Sequence, residues 1–193
     1  MSKLEAFLLG ILGACGALVL QFVFFLLFSV LLDPLGKLSF ADFFSLPLFI
    51  FATALIEELF KYLLLAKKIS HLSSPATILP SAILLGVGFF SFEFILISSN
   101  QPSINLQANF GIALLHLATS VLIGFLLAFK KFTQQKYLGL LGLLIAIGFH
   151  FLYNLALAKA ETPLNNLALG ILVILGAINT GLFFYSKKML AQD

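Results

Sequence analysis

Long apolar runs separated by short polar breaks make up almost the whole chain, and run length carries the first structural signal. A helix needs about 20 apolar residues to cross the hydrocarbon core of a bilayer. Six runs reach that span: Ala6–Leu32, Phe43–Ala66, Ile78–Ser98, Ala108–Phe129, Tyr137–Ala158 and Asn166–Ser186. Turn-forming residues punctuate them. Asp33-Pro34 follows the first run, Ser74-Pro75 precedes the third, Ser98 to Pro102 closes it, and Glu161-Thr162-Pro163 divides the last two. The pattern predicts an all-α polytopic membrane protein: a six-transmembrane-helix bundle forming a single integral-membrane domain over residues 1–193. The first run extends to Leu32, beyond the roughly 7–15-residue core of a signal peptide, so it is expected to stay as a span. Its glycines, Gly10, Gly13 and Gly16, are expected to admit a neighbouring helix closely.

Composition points the same way. Of 193 residues, 61% are hydrophobic and 10% charged, and the mean hydropathy is +1.12. Soluble domains are about a quarter charged. So few charges cannot keep 23 phenylalanines in water, which leaves the lipid bilayer as solvent. Although the isoelectric point is near 9.0, no nucleic acid is expected as a partner. All 11 cations are lysines, set singly or in small groups between apolar runs, and no arginine supplies a forked phosphate grip. Cys15, alone, cannot form an intrachain disulfide.

The lysines also orient the chain. If the helices alternate, Lys3, Lys67, Lys68, Lys130, Lys131, Lys136, Lys187 and Lys188 share one side, and only Lys37 and Lys159 face the other. The positive-inside rule then predicts a multi-pass protein of the cell membrane with both termini cytoplasmic.

Candidate chemistry lies in the few polar residues within the runs: Glu57, Glu58 and Lys61, then Glu93, His116, and finally His150 with Asn154. A charged side chain at a helix centre costs about 2.5–3.5 kcal/mol, so three glutamates and a lysine oppose insertion by roughly 10 kcal/mol unless they meet partners or water. Their depths agree. Glu57 is about 15 Å from Lys67 along its helix, and His116 and His150 are each about 21 Å from the lysines that flank them. One internal site explains four helices placing ionisable groups near one level. Glu57 and Glu58 diverge by about 100° around their helix, so only one is expected to face a common centre squarely. Lys61 lies within reach of both carboxylates, although its long stem also permits snorkelling to the interface. Ser120 shares a face with His116 but is expected to bond back to its own helix. On the residues alone, a small-molecule or metal transport subunit with a midplane Glu/His site is an alternative to an enzyme.

Read in order, these residues resemble the motifs of the PrsW family of intramembrane proteases. Glu57-Glu58-Leu59-Phe60-Lys61 looks like its EExxK motif. Gly86 to Glu93 is similar to its glycine-phenylalanine stretch ending in glutamate, His116 with Ser120 and Gly124 to its third motif, and His150-Phe151-Leu152-Tyr153-Asn154 to its HxxxN. The same logic occurs in the related CAAX-prenyl-protease and bacteriocin-processing membrane proteins. Phe94 departs from the family's usual Asn after the second-motif glutamate. The resemblance places a protease core within 43–158 and implies hydrolysis of a peptide bond in a membrane-anchored protein substrate. It implies that Glu57 or Glu58 activates water, that His116 and Glu93 help to hold it, that His150 and Asn154 support the oxyanion, and that Lys61 balances charge. With no HExxH present, no cofactor is expected; the zinc alternative draws on Glu57, Glu93, His116 and His150.

Overall fold

A computed structural model of the chain describes residues 3–32, 40–70, 78–100, 106–158 and 166–190. Among them the helices are α1 (Lys3–Leu32), α2 (Phe40–Ser45), α3 (Pro47–Ser70), α4 (Ile78–Asn100), α5 (Leu106–Thr133), α6 (Leu138–Ala158) and α7 (Asn166–Leu190). Five of these, α1, α4, α5, α6 and α7, are long and apolar enough to cross a membrane. The 24-residue α3 is as long, but carries Glu57, Glu58 and Lys61 in its middle. The predicted breaks at Pro34, Pro75, Pro102 and Pro163, with Lys37 and Lys159, lie outside the described residues.

One predicted run divides. Phe43–Ala66 was expected to be continuous, yet α2 ends at Ser45 and α3 begins at Pro47. Proline has no N–H to give to a preceding turn, so it suits the first position of a helix and not the interior. Leu46 N–H closes the end of α2 on Phe43 O at 3.1 Å, and Leu46 O accepts the first bond of α3 from Ile50 N–H at 3.0 Å.

The centre of the bundle is α5. It packs against α3, α4, α6 and α7, while α1 crosses α4 and α3 on one flank. Leu115, Leu122 and Ile123 of α5 are fully buried, with Ala146 and Tyr153 of α6 and Leu175 of α7 in the same core. The outer helices present Leu12, Val19 and Phe22, and Leu167, Val173 and Phe184, outward. Such continuous apolar faces are unfavourable in water and ordinary against lipid tails.

Glycine sets the closest crossings. A side chain at Gly10 would collide with the α4 backbone at Leu85, and one at Gly88 with the α1 backbone at Phe7. The predicted roles of Gly13 and Gly16 also hold, since they face Leu64 and the Phe60 ring of α3. Gly86 does the same for α4 and α5: a methyl there would lie 2.9 Å from His116 O and 3.1 Å from Leu117 Cα. This last contact sits at the level of the polar residues and fixes how near α4 comes to them.

Candidate functional site

The polar residues of the separate runs meet inside the bundle. Glu58 and Lys61 of α3, His116 and Thr119 of α5 and His150 of α6 are all buried. Lys61 does not snorkel. Its Nζ lies 2.7 Å from Glu58 Oε1, 2.8 Å from His116 Nδ1 and 3.1 Å from Thr119 Oγ1. An ammonium has three donors and no lone pair, so these three bonds complete its capacity. The Phe89 ring, 4.9 Å from Nζ, covers a further side and also stacks on His116. A charge held this way avoids the penalty of an unpaired ion in an apolar interior.

Both histidines are fixed by their partners. Glu58 Oε1 receives His150 Nδ1 at 2.5 Å and Thr119 Oγ1 at 3.2 Å, besides Lys61. An ionised carboxylate only accepts, so His150 Nδ1 carries the donated proton and a neutral ring turns its Nε2 lone pair away from Glu58. That nitrogen faces Glu57 Oε2 at 3.5 Å. His116 has Lys61 at Nδ1, and its Nε2 meets Glu93 Oε2. The two imidazoles stand edge to face with centroids 5.3 Å apart.

Glu57 and Glu58 therefore both reach the site. The expectation that only one would do so neglected the width of the target: the carboxylates address opposite nitrogens of His150. Glu93 pairs with His116 at a more open edge, its side chain 33% exposed. Asn154, one turn along α6 from His150, makes no hydrogen bond among the described residues. It lines a cavity of about 190 Å³ with Phe49, Ile50, Thr53, Leu157 and Ala158. Ser120 departs from its predicted bond to its own helix. Its hydroxyl is buried beside Gly86 with no hydrogen-bond partner among the described residues, and its neighbour Thr119 makes the polar contacts.

Two residues at the site escaped the sequence reading. Thr119 is three residues beyond His116, the spacing that shares a helix face, and was obscured by the more conspicuous Ser120. Gln21, from α1, donates from Nε2 to Glu57 Oε1 at 2.8 Å. It is the one carboxamide in the 30 residues of α1, a polar exception of the kind that betrayed the other residues.

Ligand atoms of Glu57, His116 and His150 lie within 4.8 Å of one another. Glu57 Oε2 is buried and has no hydrogen-bond partner among the described residues. It faces a histidine nitrogen across 3.5 Å, close to the roughly 3.3–3.5 Å edge that tetrahedral geometry gives for zinc bonds of about 2.0–2.2 Å. Two facing acceptors of this kind require a proton or a cation between them. Two imidazoles and a carboxylate form a borderline donor set suited to zinc, so the residues present fit a metal ion.

The family model described as PrsW family intramembrane metalloprotease matches residues 3–179. No curated protein and no solved structure matches the chain. Together with the apolar helices, the family match makes this a multi-pass membrane peptidase. The transport alternative is not favoured. The expectation of no cofactor is corrected: the family is one of metalloproteases, and Glu57, His116 and His150 converge as a possible metal site. The missing HExxH misled because that motif places ligands one turn apart on one helix, whereas here three helices each supply one.

Proposed function

The chain belongs to the PrsW family of intramembrane metalloproteases, and we propose that it hydrolyses a peptide bond of a membrane-anchored protein with Glu57, His116 and His150 holding zinc. The observation that carries this reading is the convergence of those three ligand atoms within 4.8 Å. The ion when bound supplies Lewis acidity to the scissile carbonyl and to water. The chain's own residues do the rest. Glu58, at Nδ1 of His150, keeps that ring's Nε2 turned to Glu57, the orienting role that carboxylates play behind metal-binding histidines. Lys61 donates to Nδ1 of His116, so the ring turns Nε2 toward Glu93, and that nitrogen would serve as a ligand once its proton has passed to the Glu93 carboxylate.

Glu93, beside that nitrogen and the most open of the carboxylates, takes the proton of the attacking water and passes it to the leaving amine nitrogen as the C–N bond breaks. The glutamate that activates water is thus Glu93, with Glu57 serving as ligand and Glu58 held at Oε1 by Lys61, His150 and Thr119. Asn154 offers its carboxamide to the substrate backbone from the adjoining cavity. The helices around the site exclude bulk water and strengthen each of these electrostatic contacts.

The motif-bearing core lies within 43–158, and α3 crosses the membrane as a sixth span, its three charged residues turned to the polar partners of the site. Both termini face the cytoplasm, a reading supported by the lysine asymmetry. The test is zinc analysis of the purified chain alongside cleavage of a co-reconstituted single-span substrate. Stoichiometric zinc, lost together with cleavage in Glu57→Gln, His116→Ala and His150→Ala, is the expected result. Undiminished zinc in all three variants overturns the ligand assignment.

A further inference from the structure

We propose that Gln21 of α1 is a positioning residue for Glu57, holding one carboxylate oxygen so that the other alone is presented to the metal. The inference rests on the reading of Glu57 as a ligand. The Gln21 carboxamide donates to Glu57 Oε1 at 2.8 Å, while Oε2 is buried, has no hydrogen-bond partner among the described residues and lies 3.5 Å from His150 Nε2. Rotation about the last bond of a glutamate is broad and nearly two-fold. Nothing within the side chain itself therefore decides whether one oxygen faces inward or both do. The amide decides it by occupying one.

Helix packing holds the amide there. Phe60 of α3 lies against Gly16 of α1, five residues before Gln21, and α1 is pinned to α4 where Gly10 meets Gly88. The donor thus reaches Glu57 from a helix that carries none of the recognised motif residues. A carboxamide within a long apolar helix has a cost that packing does not require, and its contact with a ligand carboxylate accounts for its presence.

The test is zinc affinity, measured on the purified full chain in detergent by competition with a chromophoric chelator and with zinc alone as probe. Gln21→Met keeps length and removes the donor; Gln21→Glu keeps shape and replaces the donor with an acceptor. Both are expected to bind zinc about 10–100-fold more weakly, the usual effect of losing such an orienting partner. The effect of Gln21→Met should vanish in a Glu57→Gln background, as a double-mutant cycle requires of a residue acting through Glu57. A merely structural tie would lower the melting temperature and leave zinc affinity unchanged. Wild-type affinity in both folded Gln21 variants, with Glu57→Gln impaired, overturns this role alone. Wild-type affinity in Glu57→Gln removes Glu57 as a ligand, and the positioning role with it.

Discussion

At the scale of single residues, Glu58 and Lys61 carry the largest local stake. Lys61→Met leaves the Glu58 carboxylate buried without its ammonium partner. Breaking a buried ion pair from one side costs about 3–5 kcal/mol, so this variant should unfold at markedly lower denaturant in detergent. Glu93 separates chemistry from metal binding. Glu93→Gln should slow cleavage by about 10²–10⁴, the range for losing a general base, while zinc content stays at the wild-type level; unchanged cleavage assigns the base elsewhere. Ser120→Ala should retain full cleavage and stability, because its hydroxyl has no hydrogen-bond partner among the described residues. A large loss in that variant places an undetected partner at Ser120.

At the scale of elements, the site depends on the approach of α4 to α5. Gly86 is a point of close contact, with His116 O 2.9 Å from where a methyl would stand. Gly86→Leu must push the helices apart, which costs typically about 1–3 kcal/mol in a packed interior and draws Glu93 away from His116. Cleavage should fall more steeply than stability. Gly176 on α7 has nothing within 4 Å of the same position, so Gly176→Leu serves as the control and should leave both unaltered. Equal behaviour of the two variants in a cleavage assay and a thermal melt argues that the α4–α5 spacing does not govern the site.

At the scale of the whole molecule, the proposed topology sets Ser45 and Gln134 on opposite sides of the membrane. Ser45 precedes α3, and Gln134, at φ 58°, ends the α5 helix in a left-handed turn; both are exposed. Cys15 is free and exposed, so labelling requires a Cys15→Ser background. Impermeant maleimide on intact cells should label Ser45→Cys, and Gln134→Cys only after permeabilisation. Labelling of both before permeabilisation rejects the alternating arrangement and the cytoplasmic placement of the termini.

The sequence by itself determined the long helices and which residues in them are chemically exceptional. Ile78–Ser98, Ala108–Phe129 and Tyr137–Ala158 reappear as α4, α5 and α6 with shifts of a few residues. Each lipid-spanning segment must satisfy its own backbone hydrogen bonds, so its length and composition are written locally. Glu57, Glu58, Lys61, Glu93, His116 and His150 were visible for the same reason: lipid makes an ionisable side chain expensive wherever it lies. Only the tertiary structure decided how they pair. One residue turns a side chain by about 100° around its helix, so helix rotation and glycine-set spacing select Thr119 over Ser120 and set Asn154 at an adjoining cavity. The possible metal site arises in the same way, because Glu57, His116 and His150 are distant in sequence and become neighbours only when α3, α5 and α6 pack together.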